Sequence, residues 1–266
     1  MSIGSIRRGA RALQGKTVLV TGGASGIGKA ICQRLAAEGA RLCIADLNRA
    51  AAEALAVGFG AGHMALHCDV TRADSVATAF NDALGAFGAL DIVCANAGVS
   101  TMNRVSDLSE SEWDLNMDVN AKGVFLTDQA AVRHWLGAKR PGVIVNTSSV
   151  GGKMGAPLLA HYCASKFAVL GFTQSLAKEV ARDGIRVNCV CPGFVRTAMQ
   201  AREAQWEGSL RGMTPEAVLA EYVSLTPMGR LEEPEDVAEA VLFLAGDGAR
   251  FIAGEALNVS GGAFMD

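Results

Sequence analysis

Seven short apolar runs recur along this chain, at 17–20, 41–45, 63–67, 91–95, 142–146, 186–190 and 256–259, and what separates them limits the architecture. The intervening segments are longer and carry helical periodicity, most clearly at 27–38, 75–87, 112–136, 162–182 and 234–244, the last opening on Pro234. A strand that feeds a helix and then another strand makes a right-handed crossover, which leaves the strands parallel and helices on both faces. Near-continuous apolar strands suit a sheet covered on both sides. The expected fold is α/β, a doubly wound seven-stranded parallel sheet. With half of its 266 residues apolar and no composition shift to mark a linker, the chain reads as a single globular domain.

Residues 1–14 carry Arg7, Arg8 and Arg11 with no acid, yet no apolar stretch follows, so export is not expected and the segment reads as a mobile arm. No run of 18 apolar residues occurs, and no membrane span is expected. The net charge of −3 comes from interspersed acids and bases, which leaves no footprint for nucleic acid or an anionic membrane. Seven cysteines, an odd number lying mostly inside apolar runs, read as reduced core thiols of a cytoplasmic protein. Cys189 and Cys191 share one face of a strand, but the four histidines supply no pair at zinc spacing, so no metal is expected.

The first strand runs into Thr21-Gly22-Gly23-Ala24-Ser25-Gly26-Ile27-Gly28 and then a helix. In that setting Gly22, Ser25, Gly26, Ile27 and Gly28 let backbone approach a pyrophosphate, while the helix N-terminus offers free N–H groups and positive dipole to the anion. Such a turn is expected in a Rossmann-type sheet that binds a dinucleotide. Asp46 and Leu47 close the second strand, Asp46 lying 18 residues after Gly28. An acid there accepts hydrogen bonds from both adenosine ribose hydroxyls and repels a 2′-phosphate, which selects NAD; the same side chain would also suit a cap for a helix near Arg49. Asp69 and Val70 follow the third strand, where the carboxylate would meet the adenine amino group or cap a helix near Arg72.

Tyr162 and Lys166 stand four residues apart in a helical segment, hence on one face. A free tyrosine titrates near pH 10, and a unit charge about 4 Å away at an effective dielectric near 20 is worth roughly 4 kcal/mol, enough to bring the phenol toward neutral pH as an acid/base. Ser149, thirteen residues before Tyr162, ends the fifth strand at the sheet edge where such folds bind ligands; it would hydrogen-bond a substrate oxygen or local backbone.

Thr21-Gly22-x-x-x-Gly26-Ile27-Gly28, Asn96-Ala97-Gly98, Asn120, Ser149, Tyr162-x-x-x-Lys166 and Pro192-Gly193, in that order, resemble the short-chain dehydrogenase/reductase family over about residues 15–266. The resemblance implies Tyr162 as acid/base, Ser149 as the donor that polarises the reacting oxygen, and Lys166 as a nicotinamide-ribose ligand that lowers the Tyr162 pKa. Asn120 would hold a water that links Lys166 to solvent. Asn96, Ala97 and Gly98 would line the cofactor site, and Pro192, Gly193, Val195 and Thr197 would bind the nicotinamide end. Cys94-Ala95-Asn96 departs slightly from relatives with a second Asn before the Ala-Gly. Family members form dimers and tetramers through the segments at 112–136 and 162–182, and Phe167, Val169, Leu170, Phe172 and Leu176 crowd several faces of the second, so a homotetramer is expected.

All four catalytic positions are filled, which favours an NAD-dependent oxidoreductase over a non-catalytic dinucleotide-binding protein. The long stretch 197–231, with Gly208, Gly212, Pro215 and Pro227, reads as an irregular loop and is expected to be a substrate lid. Ser100, Lys153, His161, Phe194 and Trp206, with Thr101 nearby, are the candidate substrate contacts, while Met199, Trp206, Met213 and Tyr222 fit equally well as packing of a helix pair. Polar neighbours of this kind favour a polyol, sugar alcohol, diol or hydroxyketone. A 3-oxoacyl thioester reductase is the alternative, with Asp46 against it because such reductases mostly use NADPH.

Overall fold

The computed structural model describes residues 11–266. Strands β1 (Thr17–Thr21), β2 (Arg41–Asp46), β3 (Met64–His67), β4 (Ile92–Ala95), β5 (Gly142–Thr147), β6 (Ile185–Pro192) and β7 (Ala256–Val259) form one sheet in the order β3-β2-β1-β4-β5-β6-β7. Every pairing is parallel. Chain order reverses between β1 and β4, and a crevice opens at their carboxyl ends, the place where doubly wound sheets take ligands. The fold expected from the alternation is the fold observed.

Helices α1 (Gly26–Ala37), α2 (Arg49–Phe59) and α9 (Pro234–Ala245) cover one face, packing Ile31, Leu35, Val237, Val241 and Leu244 onto Val18, Val20 and Ile44. Helices α3 (Ala73–Phe87), α5 (Gly123–Ala138) and α6 (Ala160–Val180) cover the other through Phe80, Trp135 and Val180. All seven cysteines are buried free thiols, as their apolar settings implied. None of the described helices is long and apolar enough to cross a membrane.

Three elements differ from expectation. The helix expected at 112–136 is α4 (Glu110–Asn116) joined to α5 by a π-helical turn, Met117–Lys122, whose wider winding turns Asn120 into the protein. The stretch 197–231 is ordered, with α7 (Ala198–Arg211) capped by Thr197 and α8 (Pro215–Ser224) capped by Thr214; Pro215 starts a helix where it had marked a loop. The expected arm, 1–14, is held at its end. Leu13 is buried and the Ala12 N–H donates to Glu38 Oε2 at 2.9 Å, which clamps 11–14 onto the end of α1; residues 1–10 lie outside the described residues.

Trp135 fixes α5 to the sheet. Its ring is fully buried, Nε1 donates to Leu90 O at 2.8 Å, and a Cβ on Gly142 would stand 2.2 Å from the ring. Gly142→Ala should therefore lower the urea-unfolding free energy by about 1–3 kcal/mol with an unchanged m-value. An unshifted midpoint would show that the indole does not rest on this strand.

Candidate active site

At the β1–α1 turn, backbone meets backbone. A Cβ on Gly22 would stand 2.8 Å from Ala97 Cα, and one on Gly28 would stand 2.0 Å from Gly22 O and 2.6 Å from Asn96 Nδ2. Gly22 and Gly26 also have positive φ, +61° and +50°. Thr21 Oγ1 accepts the N–H groups of Asn96 and Ala97 at 3.1 and 3.2 Å, and Asn96 Nδ2 donates to Thr21 O at 3.2 Å. These contacts lock the glycine turn to the end of β4.

The Ala24 N–H donates to Asp46 Oδ2 at 3.0 Å and the Asn48 N–H to Oδ1 at 2.8 Å. Asp46 does not cap α2; Asn48 does, accepting from the Ala51 N–H at 3.1 Å. Leu47 lies exposed at the rim. Asp69 Oδ1 accepts from the Thr71 N–H and Oγ1 at 3.0 and 2.7 Å in a local turn, and Arg72, not Asp69, occupies the N-cap position of α3.

One cavity of about 430 Å³ runs from Asp46 to Tyr162. Every residue expected to bind cofactor lines it except Gly28, which packs beneath Gly22. Ser149, Tyr162 and Lys166 meet at its inner end. A methyl on Gly151 would touch both Ser149 Oγ and Tyr162 Cε1 at 3.4 Å. Ser149 Oγ accepts the Gly151 N–H at 3.0 Å, so the local backbone bond is present and its own proton stays free to donate. Lys166 Nζ donates to Thr147 O at 2.9 Å and sits 5.8 Å from the Tyr162 ring centroid. Asn120 lies behind this group: Nδ2 donates to Val99 O and Ser165 Oγ, both at 2.9 Å, and Oδ1 accepts the Val99 N–H at 2.8 Å. Only one lone pair of Oδ1 is left for a water.

The expected substrate contacts do not line the cavity. Lys153 Nζ turns to the C-terminus, bonding Ala256 O at 2.6 Å and Asp266 Oδ2 at 2.5 Å, because the turn capped by Ser149 carries it away. His161 is fully buried with Nε2 2.7 Å from Thr101 Oγ1; one residue before Tyr162 on a helix, it points about 100° away. Phe194 stacks on Tyr222, ring centroids 4.3 Å apart, inside the α7–α8 core. Trp206 lies partly exposed on α7, and Ser100 is buried beside Glu203. Met199, Gln200, Arg202 and Glu203 of α7 line the cavity instead. The last three were missed because reading 197–231 as irregular hid the helical face they share.

A family model described as enoyl-(acyl carrier protein) reductase matches residues 22–263. The dog protein "(3R)-3-hydroxyacyl-CoA dehydrogenase" is 38% identical over 264 residues, 95% of this chain and 98% of that protein. A Mycobacterium marinum short-chain type dehydrogenase/reductase superposes with a TM-score of 0.88 at 32% identity, covering 97% of this chain and 98% of that one. A Brucella melitensis 3-ketoacyl-(acyl-carrier-protein) reductase complexed with NADH gives 0.85 at 32% identity, covering 95% of this chain and all of that one. The chain belongs to the short-chain dehydrogenase/reductase family. It is an oxidoreductase of CH–OH groups.

Burial governs the charges in this dehydrogenase. It pushes the Lys166 ammonium down to about 8. Burial, followed by the nearby Glu203 charge, holds the Tyr162 phenol above its ordinary value, with Ser149 opposing. The lowering of Tyr162 by Lys166 expected from the resemblance does not enter this balance. Burial raises Glu203 as well, with the Ser100 hydroxyl opposing.

The lysine has a consequence for stability. Its folded value, about 8, lies below the ordinary 10.5, so the unfolded chain binds more protons between those pH values and stability rises with pH across that window. From pH 8 to pH 10, wild type should gain about 2 kcal/mol more unfolding free energy than Lys166→Met, whose other groups titrate alike. Equal gains would show that the ammonium is solvated.

Proposed function

We propose that the enzyme interconverts a secondary alcohol and its ketone, with Tyr162 moving the proton at the reacting oxygen. The observation that carries this reading is the convergence of Tyr162, Ser149 and Lys166 at the inner end of a cavity whose outer end is Asp46. When bound, NAD supplies the hydride acceptor of alcohol oxidation.

The residues fit that group. Asp46 accepts two backbone N–H groups and keeps lone pairs for two ribose hydroxyls, and a 2′-phosphate would set charge against charge. Gly22, Ser25, Gly26 and Ile27 hold the pyrophosphate at the start of α1, with Gly28 permitting the close turn. Leu47, Asp69 and Val70 flank the adenine, and Asn96, Ala97 and Gly98 form the floor. Pro192, Gly193, Val195 and Thr197 hold the nicotinamide end, and Lys166 holds its ribose. Ser149 donates its free proton to the substrate oxygen. Tyr162 gives its phenol proton to the reacting oxygen in reduction and, in its ionised form, takes the hydroxyl proton in oxidation. Asn120 is a positioning residue that pins Val99 and Ser165 around Lys166 and offers Oδ1 to a water.

The substrate reading is a vicinal diol, polyol or hydroxyketone, supported by the polar Gln200, Arg202 and Glu203 on the α7 wall, with 197–231 acting as the lid. A 3-oxoacyl thioester is the second reading, favoured by the names of the dog and Brucella relatives. Phe125, Leu136 and Phe167, all exposed on α5 and α6, support a homotetramer, and seven buried free thiols suit the cytoplasm.

NADH appearance at 340 nm should accompany oxidation of 2,3-butanediol, and acetoacetyl thioester reduction should be slower with either nicotinamide. A dominant NADPH-dependent thioester activity would establish the second reading. Tyr162→Phe should bind NADH normally and lose a factor of about 10² to 10⁴ in kcat; retention of more than about a tenth would remove Tyr162 from its role. Asp46→Ala should narrow the preference for NAD over NADP, chiefly by raising KM for NAD. Equal kcat/KM for the two in wild type would refute the ribose role of Asp46.

A further inference from the structure

Helix α7 carries one carboxylate into the catalytic end of the cavity. Glu203, in its second turn, is half-buried and lines the same cavity as Tyr162 and Ser149. It is poorly satisfied there. Gln200 Nε2 lies 3.5 Å from Oε2, at the limit of a hydrogen bond, and the Ser100 hydroxyl is its other polar neighbour. Among the described residues no lysine or arginine forms an ion pair with it, whereas Glu207 and Glu221 nearby share Arg211. Arg202 lines the same cavity and partly offsets the Glu203 charge without an ion pair to it. A carboxylate taken from water and left short of donors is costly, and here the open direction is the cavity itself.

We infer that Glu203 accepts a hydrogen bond from a second hydroxyl of the substrate, next to the reacting carbinol, and so selects diols and hydroxyketones over plain alcohols. The inference rests on the diol reading above and assigns its discrimination to one side chain. With Arg202 beside it the site favours a neutral donor over an ammonium group, and a carboxylate at the same position would be repelled.

The test compares kcat/KM with NAD for 2,3-butanediol, 2-butanol and 3-amino-2-butanol in wild type, Glu203→Ala and Glu203→Gln, with NADH binding followed by fluorescence as the check of folding. Wild type should prefer the diol to 2-butanol by about tenfold or more, as a hydrogen bond to a charged acceptor allows. Glu203→Ala should bring that ratio close to one, and Glu203→Gln, whose amide oxygen still accepts, should fall between. A ratio that survives in Glu203→Ala overturns this inference alone. Equal losses on diol and plain alcohol overturn it too, because a merely structural role spares the ratio. No preference in wild type overturns the diol reading and this inference with it, and a wild type that favours the amino alcohol overturns the neutral donor. Should Glu203→Ala fail to bind NADH, Glu203→Gln decides, an unchanged ratio overturning the assignment.

Discussion

The site depends on one close approach, that of the β1–α1 turn to the end of β4. Strand order reverses between these neighbours, so their connecting helices leave on opposite faces and a crevice remains. The crevice would collapse or gape unless the two strand ends were fastened. Gly28 against Gly22 O, Gly22 against Ala97, and Asn96 donating two hydrogen bonds to Thr21 do the fastening with backbone and short side chains. Side chains larger than hydrogen would push the turn outward. That would carry the α1 N-terminus away from the cavity and loosen Ala24 from Asp46, so the two ends of the cavity are set by one contact.

From that anchor the sheet edge holds Lys166 where a lysine is uncomfortable. Its ammonium is almost fully buried, with Thr147 O as its acceptor, and burial lowers its proton affinity. A drop from 10.5 to about 8 corresponds to roughly 3 kcal/mol carried by the folded state at neutral pH. Burial acts on the tyrosine in the same sense, opposing its charged form. Both groups therefore sit closer to neutral than they would in water, the condition in which a proton moves between them and a bound oxygen with little change of solvation. The surrounding core supplies the stability that this arrangement consumes.

Much of this was legible because buried parallel strands and the Tyr162–Lys166 spacing leave strong local patterns. Asp46 was legible as a carboxylate at the end of β2, though not its hold on Ala24. What escaped has physical reasons. Helix α7 buries Gln200, Ala204, Glu207 and Gly208, so no apolar stripe announces it, and the residues it sends into the cavity are polar. Lys153 and His161 were placed by sequence neighbourhood. The helical offset between His161 and Tyr162 already argued against the histidine, whereas the partner of Lys153, Asp266, is 113 residues away and no local pattern reveals it.

The α7–α8 pair is a unit rather than a pliable loop. Tyr222 donates to Glu207 inside it, Arg211 ties Glu207 to Glu221, and Phe194 stacks on Tyr222 from the segment that follows β6. That segment is stitched to the chain leaving α8: the Gly193 N–H donates to Glu232 Oε2 at 2.8 Å, the Glu232 N–H to Phe194 O at 2.9 Å, and the Arg196 N–H to Glu232 O at 2.8 Å. Gly193, Val195, Thr197, Met199, Gln200 and Glu203 all line the cavity from this connected body. Displacing α7 therefore strains the Pro192–Thr197 segment, since packed elements shift together and transmit strain. The joint between them is Glu232, a buried carboxyl whose proton affinity burial raises to about 8 and whose Gly193 bond opposes that rise.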